Sequence, residues 1–177
     1  MNPGNRQGFC FNKLCVVCFL AVKSSKNFLT QRKRRTQRLY YIRIMNKIEH
    51  IGIAVRNLEE AIKTYTELLG TECYKTEAVE SEGVKTAFFQ VGDSKIELLE
   101  ASSEASPIAK FIEKKGEGIH HIAFDVTDIQ ASMKDLASKG FQLLNEQPKN
   151  GADNKLVAFI HPKSSNGVLV ELCQEKR

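Results

Sequence analysis

The chain predicts an α+β fold built from two βαβββ modules. Three observations predict it. The segment Ile48-Glu49-His50-Ile51-Gly52-Ile53-Ala54-Val55 returns as Ile119-His120-His121-Ile122-Ala123-Phe124-Asp125-Val126 at an offset of 71 residues, and self-similarity of this kind marks repeated structural units. Each copy precedes a stretch with helical periodicity and then three strand-like runs bounded by turn residues. The charge is also divided. Residues 1–44 hold ten Lys or Arg and no acid, so residues 45–177 hold sixteen bases against all 21 acids and net −5 despite the overall +5.

The division separates a leader, residues 1–44, from a domain, residues 45–177. The apolar run Phe9–Val22 is broken by Asn12 and Lys13 and is too short and polar to span a membrane. The leader reads either as sequence upstream of a translation start at Met45, which we favour because the first strand begins there, or as an Arg-rich, acid-free mitochondrial transit segment. Cys15 and Cys18 form a C-x-x-C without a second pair. In the domain only Cys73 and Cys173 remain, which fits a reducing compartment. We expect a cytoplasmic protein, or one of the mitochondrial matrix if the leader is a transit peptide. An acidic domain lacks the clustered positive charge that a phosphate backbone requires, so no nucleic-acid partner is expected, nor a membrane.

Along the first module (about 47–100), Asn57 is a natural N-cap for Leu58–Leu69, whose positions 58, 61, 62, 65, 68 and 69 share one stripe, and Gly70 ends it. Strands are expected at Glu72–Ala78, Val84–Val91 and Lys95–Glu100. Ser106 and Pro107 start a short linking helix. In the second module (about 118–174) Asp128 caps Ile129–Lys139, Gly140 stops it, and strands are expected at Phe141–Asn145, Lys155–Ile160 and Gly167–Cys173.

Strand parity then picks out a site, because successive side chains face opposite ways. Ile51, Ile53 and Val55 share an apolar face, leaving His50 on the other beside Gly52. Ile122, Phe124 and Val126 share the equivalent face, leaving His121 on the other beside Ala123. Parity places His120 outward, toward the helix. In the last strand of each module Glu97 and Glu171 face away from their apolar neighbours, 47 and 50 residues after the histidines. Two His and two Glu, contributed symmetrically, make a mixed N/O site for a divalent metal such as Co, Ni, Zn, Fe or Mn. Four ligands of six leave two positions for a bidentate substrate. His161, before Pro162 in a turn, reads as structural.

At these residues the sequence resembles the vicinal oxygen chelate superfamily, over about Lys47 to Gln174, and the resemblance implies that the two paired modules form one cupped, mostly antiparallel sheet around the metal. Within it the nearest resemblance is to the methylmalonyl-CoA epimerases. It is carried by His50–Val55, Lys95–Glu100, Ser106-Pro107-Ile108-Ala109-Lys110-Phe111, Gly118–Ala123, His161-Pro162-Lys163 and Gly167–Leu172. The resemblance implies a metal-dependent isomerase acting on methylmalonyl-CoA by C2 proton abstraction and return, with Glu171 as both ligand and base, and a homodimer. Co2+ is the first expectation, with Mn2+, Ni2+ or Zn2+ as alternatives. Some relatives carry Gln where Glu97 stands, and some carry a second catalytic Glu where this chain has Thr86. Glu80, Glu82, Glu97 or a water are the substitutes. Lys149, Lys155 and Lys163 are candidate phosphate contacts for coenzyme A. Glyoxalase I shares the two-His, two-Glu set and is the rival enzyme. A metal-free small-molecule binding protein of the same fold is the rival without chemistry, and it is disfavoured by four retained ligands. Extradiol dioxygenases use one carboxylate with two His, which Glu97 argues against.

Overall fold

The computed structural model describes residues 45–176; the leader and what was expected of it lie outside them. Eleven elements follow in order: β1 (Met45–Val55), α1 (Leu58–Leu69), β2 (Lys75–Val79), β3 (Val84–Val91), β4 (Ser94–Ala101), α2 (Pro107–Lys115), β5 (Gly118–Val126), α3 (Ile129–Ser138), β6 (Lys149–Asn150), β7 (Lys155–Ile160) and β8 (Leu169–Glu175). The sheet order is β2-β3-β4-β1-β5-β8-β7-β6, so each module supplies four adjacent strands and β1 joins β5 at the centre. Among the described residues only β1/β4 and β5/β8 run parallel. Both parallel pairs bring the last strand of a module beside its first, which is what sets the Glu strands next to the His strands.

The helices start where their caps dictate. Asn57 Oδ1 accepts from Glu60 N at 3.0 Å and Asp128 Oδ1 from Ala131 N at 2.9 Å, satisfying donors that a helix N-terminus leaves free. Gly70 ends α1 at φ 63, a conformation that costs other L-residues free energy. The face of β1 carrying Ile53 and Val55 packs on Leu58, Ile62 and Leu69 of α1. The face of β5 and β8 carrying Val126 and Leu172 packs on Ile129, Met133 and Leu136 of α3. Helix α2 instead lays Ile108 and Ile112 against Ala54, Val84 and Leu99, on the concave side of the sheet.

Three strand expectations need correction. Residues 72–74 are consumed in leaving α1, and β2 begins at Lys75. Phe141–Asn145 is not a strand: it makes one bridge, Leu143 to Ile160, and Asn145 Oδ1 takes the Phe159 N–H that a neighbouring strand would have accepted. A side chain thus replaces the backbone acceptor, Pro148 lacks a donor, and the edge is only the two-residue β6. The final strand starts at Leu169, because Asn166 (φ 54) and Gly167 (φ 88) turn the chain first.

Candidate metal centre

The four residues picked by parity meet on the concave face across the β1/β5 joint. All are buried: His50, Glu97, His121 and Glu171 are 4–6 % exposed. His50 Nε2 lies 2.9 Å from His121 Nε2 and 3.1 Å from Glu97 Oε2, and His121 Nε2 lies 3.0 Å from Glu171 Oε2. The cross distances are 3.8 Å (His50 to Glu171) and 3.6 Å (His121 to Glu97). Metal–donor bonds of roughly 2.0–2.2 Å set neighbouring donors of an octahedron about 3 Å apart. The His50, His121 and Glu171 donors lie close enough together to hold one metal ion, Glu97 Oε2 stands beside both histidines, and this N/O chemistry suits a first-row divalent metal.

Small residues make this approach possible. Gly52 pairs with His121 across the β1/β5 joint, and a Cβ there would overlap the imidazole ring. His50 is matched in the same way with Ala123. The site forms the floor of a cavity of about 360 Å³ whose walls include Val84, Phe88, Leu99, Ile108, Val157 and Phe159.

The outer contacts are of three kinds. His50 Nδ1 lies 2.5 Å from Glu49 Oε2, and His121 Nδ1 lies 3.0 Å from His120 Nδ1. The Cys173 thiol donates to Glu171 Oε1 at 3.0 Å, leaving Oε2 toward the histidines. Burial works against protonating His50, but Glu97, Glu49 and Glu171 outweigh it and push its pKa well up. Burial likewise raises the Glu171 pKa, yet His121 and His50 bring it down to about 2. Both shifts have one cause, the mutual attraction of the buried histidines and carboxylates. Burial, with Glu171 beside it, pushes the Cys173 thiol well up, so it stays a protonated donor.

A sequence profile of the glyoxalase/bleomycin resistance protein/dioxygenase superfamily matches residues 49–159. The ethylmalonyl-CoA/methylmalonyl-CoA epimerase of Cereibacter sphaeroides is 42 % identical over 133 residues, 74 % of this chain and 99 % of that one. The human mitochondrial methylmalonyl-CoA epimerase is 40 % identical over 131 residues, 73 % of this chain and 74 % of that one. The chain belongs to the methylmalonyl-CoA epimerase family of that superfamily. The crystal structure of the Mycobacterium tuberculosis epimerase superposes with a TM-score of 0.73 at 35 % identity, covering 76 % of this chain and 91 % of that one.

Other residues expected at an epimerase site fall out unequally. Thr86 is buried in the cavity wall, but its hydroxyl donates to Glu77 O at 3.3 Å. Glu82 lines the cavity and pairs with Lys149 at 2.6 Å, while Glu80 is exposed and not part of the wall. Lys155 lines the cavity and pairs with Glu175 and Glu49; Lys163 is exposed away from it. His161 is structural, its Nδ1 accepting from Lys163 N at 3.0 Å.

Parity misplaced His120 and left Glu49 unnoticed. His120 does touch α2, with its ring edge-on to Phe111 at 5.0 Å, but it also lines the cavity and meets His121. Glu49 should face away from His50, yet it is 4 % exposed and on the same side. The cause is two of the three register shifts in the β1/β5 ladder, those at Ile48/His50 and Gly52/Ile53, and strict alternation has no signal for them. The repeat itself held the clue, since it aligns Glu49 with His120.

Proposed function

We propose that this protein interconverts the (R) and (S) epimers of methylmalonyl-CoA. The observation that carries the proposal is the convergence of His50, Glu97, His121 and Glu171, with His–His and His–Glu donor distances of 2.9–3.8 Å, at the floor of a cavity whose walls are largely apolar. The kinship to epimerases gives that chelator a substrate.

The reaction must remove the C2 proton and return it to the other face. His50, Glu97, His121 and Glu171 would hold a divalent ion, Co2+ first with Mn2+, Ni2+ or Zn2+ as alternatives. Such an ion supplies Lewis-acid stabilisation of the enolate. Substrate seated between Phe88, Leu99 and Phe159 would displace water from the floor of the cavity, which strengthens the charge interactions there. Glu171 exchanges the proton on one face, with its Oε1 held by the Cys173 thiol. Thr86 carries no carboxylate, and the buried acid on the opposite side of the histidine pair is Glu97, from the other module. We assign the second face to Glu97.

The test is exchange of the C2 proton in deuterated water by the Co2+-loaded protein. Rapid exchange with methylmalonyl-CoA, and none of the turnover of a glutathione thiohemiacetal that glyoxalase I would give, is expected. The reverse pattern would remove the epimerase reading. A chain that binds no stoichiometric divalent ion would instead be a binding module.

The free Cys73 and Cys173 suit a reducing compartment, cytoplasm or mitochondrial matrix. Among the described residues no helix is long and apolar enough to cross a membrane. A homodimer is part of the same proposal, and a sedimentation mass of twice the chain is its expected sign.

A further inference from the structure

The β1/β5 joint is not a regular ladder. Ile48 pairs with Phe124 and His50 with Ala123, so Glu49 is an extra residue in β1. Gly52 pairs with His121 and Ile53 with Ile119, so His120 is an extra residue in β5. Each is the inserted residue of a β-bulge, and each stands immediately before a candidate metal ligand. The two positions are equivalent in the repeat. Bulges re-aim side chains and recur beside functional sites. Here each one turns a residue that alternation would send outward onto the ring of the following histidine. Glu49 Oε2 meets His50 Nδ1 at 2.5 Å, and His120 Nδ1 meets His121 Nδ1 at 3.0 Å.

We infer that Glu49 and His120 are positioning residues, delivered by twin bulges, that accept the Nδ1–H of His50 and His121 and so fix both imidazoles with the Nε2 lone pair toward the ion. The inference rests on the four-ligand reading. An imidazole has one donor and one acceptor nitrogen when neutral, and the hydrogen bond at one nitrogen decides the tautomer of the other. Acceptors behind a ligand histidine set its orientation and raise its basicity.

The two acceptors differ in kind. Glu49 is a carboxylate, itself held by Lys95 at 2.8 Å and Lys155 at 3.4 Å. His120 is an imidazole braced on Phe111 of α2. The pseudo-symmetric pair of ligands is therefore supported asymmetrically, with His50 the more strongly polarised. The Lys95 ammonium also pairs with Asp153 of the second module at 2.6 Å, so the acceptor behind a first-module ligand is anchored from both modules.

The experiment is Co2+ titration against a competing chelator, with the visible spectrum of the bound ion recorded alongside. Glu49→Leu and His120→Phe each remove an acceptor and are expected to weaken Co2+ binding by about 10–100-fold and to shift the spectrum. Glu49→Gln and His120→Asn keep an acceptor oxygen and should recover part of the loss. A histidine-selective nitrogen-15 spectrum of the wild-type zinc complex should show Nδ1–H on both ligand rings. If the wild type binds no Co2+, the four-ligand reading fails. If it binds, but the Leu and Phe variants bind equally tightly, the inference alone is overturned. An Nε2–H signal on His50 or His121 in the zinc complex also overturns it, and that spectrum decides the matter if either apolar variant does not fold.

Discussion

Single side chains carry the chemistry, and each contributes through a different physical effect. Glu171→Gln keeps the shape of the side chain but removes its charge and its basicity. It is expected to slow C2 exchange by about 10²–10⁴-fold, the range for losing a general base. Glu97→Gln should impair exchange from the opposite epimer more than from the first, and stereospecific deuterium incorporation reads the split. Equal losses from both epimers would contradict the two-base assignment. Gly52 acts by having no side chain. In Gly52→Ala the new methyl overlaps the His121 ring, and overpacking of this kind costs about 1–3 kcal/mol. Reduced Co2+ affinity and a lower urea midpoint are expected. A variant that binds Co2+ like the wild type would show that the close approach is unnecessary.

At the scale of elements, the site depends on how firmly strands and helices are seated. Leu98 follows Glu97 in β4 and is fully buried against the α1 cluster. Leu98→Ala is expected to cost about 2–5 kcal/mol in urea unfolding through the cavity it leaves. It should also disturb Glu97, since the two alternate on one strand. Asn57→Ala removes only the α1 cap and should cost about 1 kcal/mol, with Co2+ affinity unchanged. A comparable loss of stability in both variants would mean that α1 is held mainly by its cap. The elements themselves were largely legible from sequence. Asn57, Ser106 and Asp128 cap where expected, and Gly70 terminates α1, because these effects act within a few residues. Phe141–Asn145 and the bulges were not legible, because what competes there is a side-chain acceptor or a cross-strand register, set by residues far away in the chain.

At the scale of the whole molecule, the two modules are joined by the β1/β5 ladder and by a charged clasp. The tight turn Ala152–Lys155, with Asp153 and Asn154 at positive φ, carries Asp153 to Lys95 and Lys75 of the first module at 2.6 and 3.1 Å. Burial works to raise the Asp153 pKa, but the two ammonium groups outweigh it and hold the pKa down. A carboxyl with a depressed folded pKa stabilises above its ordinary pKa and loses that contribution as pH falls through the folded value. The melting-temperature difference between wild type and Asp153→Asn should therefore be present at neutral pH and shrink on acidification below the ordinary carboxylate range; a constant difference would remove the clasp. An ion held by His50, Glu97, His121 and Glu171 would link the modules too. At 100 times its Kd it adds about 2.7 kcal/mol, so chelator treatment is expected to lower the melting temperature by roughly 5–15 °C.

The sequence by itself determined the repeat, the βαβββ order, the helix caps and the identity of four candidate ligands. Those depend on local periodicity and on side-chain alternation, which a chain carries within a few residues. Only the tertiary structure decided that β1 pairs with β5, bringing His50 and His121 to 2.9 Å. It also decided that Glu49 and His120 turn inward behind them and that Thr86 hydrogen-bonds to the backbone. These are products of cross-strand register, and a bulge of one residue inverts the face that parity assigns.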